Sequence, residues 1–323
     1  MCTAITFKAD DFYFGRTLDL EYSYNETVTV TPRHFPFHLR NGTTINDHYA
    51  FIGMATVEES YPLYYDGSNE KGLSVAGLNF PGNAKYFPKT TDKDNIAPFE
   101  FIPWILSVCD SVKSAISVLQ NLNLTDEPFS ADFPNSPLHW IIADKTEVIT
   151  VESTSDGLQI YHNPVGVLTN NPPFPYHLTH LSTYMNLSPY PHENKLSKEI
   201  DLKNFSRGTG ALGLPGDCTS QSRFIRATFN KLNAATFETE EENVSQFFHI
   251  LSSVEQIKGT VKTDEGRDVL TVYTSCCNTD KGIYYYTTYG NRSVTGVDMH
   301  KENLDSDCLV SYHLRGSEIF MEK

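Results

Sequence analysis

Short strand-type runs recur from one end of this chain to the other, and they limit the fold more than any other feature. CTAITF and FYFG flank Ala9-Asp10-Asp11 and predict an N-terminal β-hairpin. VTVTP, YAFIGM, GLSVAGLNF, VITVES and GLQIYH predict further strands, with Asp156-Gly157 as the turn between the last two. GVLTNN predicts a short strand ending in polar residues, and KGIYYYTTYG and SVTGVDM predict a C-terminal pair. Helical patterns are fewer. PFEFIPWILSV is one, and SVKSAISVLQ, capped by Asp110, is a second. Arg223 to Leu232 predicts a short helix, and Asn243 to Val254 a longer one with Gly259 as its stop. The Pro-rich stretch from Pro172 to Pro191 predicts a surface excursion. Many antiparallel strands with few amphipathic helices imply sheets packed face to face with helices outside. No repeat or long linker divides the 323 residues, so a single domain over 1–323 is expected.

The balance of charge excludes some functions. A formal charge of -15 makes a poor nucleic-acid binder, because phosphate binding needs clustered Lys and Arg. No segment approaches the roughly 20 continuous apolar residues of a membrane span. No basic region followed by an apolar one opens the chain, so a secretory signal is not expected. The six cysteines include no CxxC pair, which argues against zinc. Without a signal, disulfides are not expected either, and the five internal cysteines read as small buried hydrophobes.

Cys2 differs from the other cysteines, because it directly follows Met1. Removal of the initiator methionine would leave one residue carrying both a thiol and a free α-amine. The thiol is a nucleophile with a reference pKa of about 8.5, and the amine a base with one of about 7.7–8.0. Such an amine can replace the histidine of a catalytic triad. The alternative is an ordinary small residue after the start codon. The hairpin adds geometry. With its turn near Ala9 or Asp10, Cys2 pairs with a residue close to Thr17. Arg16 then lies near the thiol, and Asp19 just past the strand end. A guanidinium favours the thiolate, and a carboxylate could hold and aim the amine. The competing reading is a solvent-facing Arg–Asp pair, worth under about 1 kcal/mol.

The run MCTAITF, then FGRTLDLEYSY, resembles the choloylglycine hydrolase family of N-terminal-nucleophile hydrolases. NEKGLSVAGLNFPG, LHWIIAD, GVLTNNPPF, GLPGDCTSQSRFIR and YTSCCNTDKGIYYYTTY continue the resemblance in order along the whole chain. It implies an α+β fold, a four-layer αββα sandwich of two stacked antiparallel sheets flanked by helices. It also implies a cytoplasmic homotetramer needing no cofactor or metal. By motif, Cys2 would be the nucleophile and its amine the base, with Arg16 and Asp19 beside them. Asn170 would supply a side-chain donor to the oxyanion, Asn79 a backbone N–H, and Arg223 would be the distal arginine. Without the family, Asn79 is a turn residue before Pro-Gly, Asn170 caps a strand end, and Arg223 is a helix-surface charge.

The resemblance carries expectations about substrate too. Asparagine at position 79 favours conjugated bile salts over penicillin V, the alternative substrate of the same machinery. Leu18, Tyr22, Tyr24, Phe129, Phe133 and Leu138 would line an apolar pocket for a steroid. Thr17 and Glu58 depart from the family pattern and bear on substrate preference. Two rival readings are an ordinary thiol hydrolase built on Cys218 and His139, and a non-catalytic binder of acyl compounds.

Overall fold

The computed structural model describes residues 1–320 and residue 322. The chain opens with strands β1 (Cys2–Lys8), β2 (Phe12–Leu20) and β3 (Thr27–Thr31). A small ribbon of β4 (Phe37–His38) and β5 (Thr44–Ile45) follows. Next come β6 (Phe51–Glu58), β7 (Tyr61–Asn69), β8 (Ser74–Asn79) and the short β9 (Asp94–Ile96). Helices α1 (Phe101–Val108) and α2 (Val112–Leu119) precede β10 (Leu122–Leu124), which pairs with β9. Then come β11 (Leu138–Ala143), β12 (Val148–Thr154), β13 (Gly157–His162) and β14 (Val167–Leu168). Helices α3 (Phe174–Leu181), α4 (Ser220–Asn233) and α5 (Glu240–Ser252) lead to β15 (Leu270–Asn278), β16 (Ile283–Thr288), β17 (Asn291–Asp298) and β18 (Val310–His313).

Two antiparallel sheets result. One has six strands in the order β14-β1-β2-β15-β16-β17; the other has eight, β13-β12-β11-β8-β7-β6-β3-β18. One core lies between the sheets and under α4 and α5. There Ala4, Phe14, Val28, Met54, Leu78 and Ile141 meet Phe224 and Phe247. A second core lies on the outer face of the larger sheet, where Phe51, Val75, Trp140 and Ile142 pack against Phe101, Ile105 and Val112 of α1 and α2. These four layers are the expected αββα sandwich. Covered on both faces, central strands are buried at every position, as in β11, and lose the alternation that marks a half-exposed strand. This explains why β11 falls outside the strand-type runs of the sequence; β7 and β15, which alternate in burial over their first residues, fall outside them too.

Local caps move several helix ends. Ser111, not Asp110, caps α2, accepting from the Ser114 amide. Thr219 caps α4, which starts at Ser220, three residues before Arg223. Thr239 starts α5 with three glutamates in its first turn, where the helix dipole favours them. That helix ends at Ser252, well before Gly259. The Pro172–Pro191 stretch is not purely a surface excursion, because α3 buries Phe174 and His177. The turn at Asp156-Gly157 forms as expected, with Gly157 at φ 92°. Among the described residues no helix is long and apolar enough to cross a membrane.

Gly15 fixes how closely β2 and β15 approach. A Cβ there would stand 2.0 Å from the Ser275 carbonyl oxygen, an atom of a neighbouring strand that cannot step aside. Gly15→Ala should therefore destabilise the fold by at least about 1–3 kcal/mol. A melting temperature equal to wild type would contradict this packing.

Candidate active site at the start of strand β1

The register of β1 on β2 decides what Cys2 faces. Cys2 pairs with Leu18, and Ala4 with Arg16. Partners across a ladder share a face, and so do residues two apart on a strand. Cys2, Ala4, Arg16 and Leu18 therefore point into the space between the sheets. Thr3, Thr17 and Asp19 point to the helical side. The partner is thus the neighbour of Thr17, as the sequence led one to expect, and this register keeps Arg16 on the face of the thiol.

Arg16 crosses the gap to the other sheet. Its Nη1 donates to the carbonyls of Tyr65, at 3.1 Å, and Gly77. Its Nε donates to the Thr17 carbonyl at 3.1 Å. β7 and β8 pair only from Asp66–Ala76 to Ser68–Ser74, so Tyr65 and Gly77 mark where these strands part. The guanidinium takes the carbonyls that this ladder no longer uses. Its Nη2 is buried without a hydrogen-bond partner among the described residues. Burial alone would lower the Arg16 pKa; Cys2, Tyr273, Asp66 and Asp19 more than offset it, so the charge is held more firmly than usual.

Asp19 lies inside β2, not past its end. Its carboxylate accepts from Thr271 Oγ1 at 2.6 Å and Thr17 Oγ1 at 3.1 Å. Burial raises its pKa, opposed by the chain amine, Arg223 and these hydroxyls. Its backbone, not its carboxylate, meets the N-terminus: the Met1 amine donates to the Asp19 carbonyl at 2.7 Å.

The Cys2 nitrogen instead donates to Asn170 Oδ1 at 2.9 Å. Arg223 Nη2 donates to the same oxygen at 2.6 Å, and its Nη1 to the Cys2 carbonyl at 2.5 Å and Thr3 Oγ1 at 2.7 Å. Arg223 is fully buried on α4 and not a surface charge; burial lowers its pKa, opposed by Asp19 and Cys2. Asn170 Nδ2 donates one hydrogen to the Asn79 carbonyl at 2.8 Å, which leaves its second N–H free of that bond. The Phe80 amide donates to Pro137 on the β11 side. Amides alternate along a strand, so the Asn79 N–H points the other way, past the end of the β7 pairing. Its own carbonyl faces that side, toward Asn170. Two N–H donors thus stand side by side near the nitrogen end of Cys2.

The expected pocket residues divide into separate groups. Leu18 is opposite Cys2 and buried. Tyr22 and Tyr24 pair with each other, hydroxyls 3.0 Å apart, at an exposed edge. Phe129 and Phe133 join Tyr61 and Phe99 in an aromatic cluster. Leu138 pairs with Asn79 but packs with the outer core. Cys218 and His139 do not form a dyad. His139 Nδ1 is 3.0 Å from Glu152 and Nε2 3.0 Å from the Thr169 carbonyl, so neither nitrogen is available to a thiol. Thr271, Tyr65, Ser220 and His177 also hold the site. Only GDCTSQSRFIR, which contains Ser220, carried any sequence signal.

The arrangement suits attack on a carbonyl: a thiol in a gap, a fixed cation on its face, and two N–H donors beside it. The fold and this strand-start site define an amide hydrolase of the N-terminal-nucleophile kind. The chain belongs to the choloylglycine hydrolase family of linear amide C–N hydrolases, whose family model matches residues 2–312. A bile salt hydrolase/transferase of Lactiplantibacillus plantarum is 53% identical over 98% of this chain and 97% of that protein. One from Clostridium perfringens is 40% identical over 97% and 96%. The crystal structure of the C2A variant of the Clostridium perfringens conjugated bile acid hydrolase superposes with a TM-score of 0.92 at 38% identity, over 100% of this chain and 99% of that one. A penicillin V acylase from Agrobacterium tumefaciens shares the fold, with a TM-score of 0.77 at 18% identity over 96% and 90%.

His177 donates from Nε2 to the Asn170 carbonyl at 2.9 Å, and burial drives its pKa down to about 4. Unfolded, it would titrate near 6.5, so between these values the unfolded state binds more protons. Stability should therefore fall as pH drops from about 6.5 through about 4, by on the order of 2–3 kcal/mol from this group. Urea unfolding at several pH values should show a shallower fall for His177→Gln than for wild type. Equal slopes would place the acid sensitivity elsewhere.

Proposed function

We propose that this protein hydrolyses the amide joining a bile acyl group to glycine or taurine, with Cys2 as nucleophile. The observation that carries the reading is Cys2 at the strand start, facing the gap, with its nitrogen held on the amide that offers a donor beside Asn79. The names of relatives at 53% and 40% identity support the bile acyl group. The likeness to a penicillin V acylase extends only to the fold.

The mechanism needs Met1 removed, which makes the Cys2 nitrogen an amine. That amine takes the thiol proton, and Asn170 Oδ1 holds it in place. The sulfur attacks the substrate carbonyl. Negative charge grows on the carbonyl oxygen, where the Asn79 N–H and the second Nδ2–H of Asn170 receive it. Fixed donors of this kind contribute several kcal/mol to the transition state. The protonated amine then gives its proton to the departing glycine or taurine, and a thioester remains. Water, activated by the same amine, releases the free bile acid. Thiol, amine and water balance every step, so no cofactor or metal is invoked. Arg16 presents its unpartnered Nη2 on the face of the thiol, and Arg223 holds the other end of the Cys2 peptide. Asp19 organises β2 beside them, and Leu18, with the exposed Tyr22 and Tyr24, supplies apolar surface for the steroid.

A cytoplasmic location and a homotetramer are part of this proposal. Supporting self-association, the segment after α3 exposes Met185, Tyr190, Leu196, Ile200 and Phe205, apolar side chains that a subunit contact would cover.

Three measurements test the mechanism. Cys2→Ala should fold normally and release no glycine from glycocholate; near wild-type turnover would move catalysis off Cys2. Asn170→Ala should lower kcat by roughly 10²–10³ with a smaller change in KM. A purely structural Asn170 would instead lower the melting temperature and leave kcat per folded molecule unchanged. An uncleavable N-terminal extension should silence the enzyme with its fold intact, because an amide nitrogen is not a base, and full activity in the extended protein would exclude the amine mechanism.

A further inference from the structure

Residues 169–173 carry Asn170 between the end of β14 and the start of α3, with no strand ladder to hold them. Three buried titratable side chains hold them instead, and none has a part in the mechanism above. His139 Nε2 donates to the Thr169 carbonyl at 3.0 Å. Glu152 Oε1 accepts from His139 Nδ1 at 3.0 Å and from the Phe174 amide at 3.0 Å, so it clamps the far end of the same segment. His177 Nε2 donates to the Asn170 carbonyl at 2.9 Å.

The rings reach the partners of Asn170 as well. His139 stacks flat on Phe80, with centroids 4.3 Å apart and planes 6° apart. Phe80 follows Asn79, so one imidazole spaces the two segments that carry the N–H donors. His177 stacks on Phe224 at 4.8 Å, next to Arg223, which shares Oδ1 of Asn170 with Cys2. Ser220 Oγ accepts the Asn170 amide at 2.8 Å.

His139 and Glu152 are both fully buried. Both nitrogens of His139 face oxygens, Nδ1 that of Glu152 and Nε2 that of Thr169, so the ring is bonded at both ends. The second oxygen of Glu152 has no hydrogen-bond partner among the described residues. A buried pair of charges is a weak stabilising device, since apolar residues of similar volume often serve stability equally well. Its location between the two donor segments points to geometry instead.

We propose that Glu152, His139 and His177 are positioning residues that set the distance between the Asn170 and Asn79 donors. This rests on the reading of Asn170 as an oxyanion donor. No hydrogen bond in the described residues joins any of the three to Cys2, Arg16 or Asp19. Disturbing them should therefore slow the chemical step through Asn170, without removing any group that touches the thiol.

The test uses full-length protein, freed of misfolded molecules by size exclusion, with rates expressed per Cys2 thiol alkylated by iodoacetamide and located by peptide mass mapping, because Cys308 is exposed and reacts too. Glu152→Gln keeps shape and an acceptor but removes the charge. It should lower kcat for glycocholate by about 10–100-fold, the effect of misplacing a catalytic group by around an ångström. KM should stay within about twofold. His177→Leu should show the same split, and His177→Gln, which can present a donor near the position of Nε2, should recover most of the loss. A merely structural role predicts lower melting temperatures with wild-type kcat per titrated thiol, and that result would overturn the proposal. If Glu152→Gln fails to fold, the two His177 variants decide alone. Asn170→Ala, measured alongside, separates the failures. Normal turnover there sinks the oxyanion reading itself, whereas a crippled Asn170→Ala beside normal Glu152→Gln and His177→Leu sinks only the positioning.

Discussion

The pairing of Cys2 with Leu18 is the constraint on which the site depends. Strands alternate faces, so a slip of one residue would turn the thiol and Arg16 to opposite sides of the sheet. Several contacts prevent the slip. Ala9 closes the hairpin turn by donating to the Asp11 carbonyl at 3.0 Å. Phe12 donates to Asp280 across the next loop at 2.8 Å. Gly15 lies so close to Ser275 that no side chain fits there. Apolar residues on both faces of β1 and β2 are also buried, Ala4 and Phe14 between the sheets and Ile5 and Tyr13 on the helical side. The register is thus held by packing far from the thiol, and the thiol inherits its direction.

Two buried arginines use that register in opposite ways. Arg16 lies on the inner face and spans to the larger sheet, while Arg223 reaches in from α4 on the outer face. Cys2 sits between two cations whose own needs are met mainly by backbone carbonyls. Carbonyls hold a guanidinium without neutralising it, so its field remains available to the sulfur and the bound substrate. The formal counter-charges are farther away and are themselves restrained. Thr17 and Thr271 occupy the carboxylate of Asp19. Asp66 accepts from the hydroxyls of Tyr273 at 2.7 Å and Tyr284 at 2.6 Å. Burial raises the pKa of both acids, opposed by the neighbouring positive charges and by these hydroxyls.

Much of this was legible in the sequence. The hairpin, the turn at Gly157, the layered architecture and the positions of Cys2, Arg16, Asn79, Asn170 and Arg223 in one site follow from strand pattern and ordered motifs. The exact partner of Cys2 did not, because turn length in a hairpin is ambiguous by one residue until the bulges and loops are seen. Strand β11 did not, because a strand buried on both faces looks like any apolar run; β7 did not, because Pro62, Asp66 and Gly67 interrupt its apolar pattern, and β15 did not, because threonine and serine interrupt its own. The roles of Thr271, His139, Glu152 and His177 depend on contacts between residues distant in the chain; Thr271 and Asp19 are 252 positions apart. Nothing local in LTVYTSCCN or VITVES announces them. The pocket is the least legible part: of six apolar residues expected together, Leu18 stands opposite Cys2 in the inner core, and the other five are divided among an exposed edge, an aromatic cluster and the outer core. Hydrophobicity identifies what is buried, and it does not say on which side of a sheet.

Asn170 shows how one side chain can serve both halves of the chemistry. Its oxygen faces two donors, the Cys2 nitrogen and Arg223, and its nitrogen faces one acceptor, the Asn79 carbonyl. The amide therefore has only one workable orientation; reversed, it would set N–H against N–H and oxygen against oxygen. The end that positions the nucleophilic residue and the end that offers a donor to the oxyanion are then parts of one rigid plane. Moving Asn170 toward one task moves it for the other, so the base, the sulfur and the oxyanion donors share a common frame. That coupling explains why so much buried polar structure surrounds a single loop: the backbone of Asn170 is bonded at its N–H by Ser220 and at its carbonyl by His177, and the residue before it by His139. A loop free to shift would degrade attack and charge stabilisation together, and the chain has spent its buried hydrogen bonds on preventing that shift.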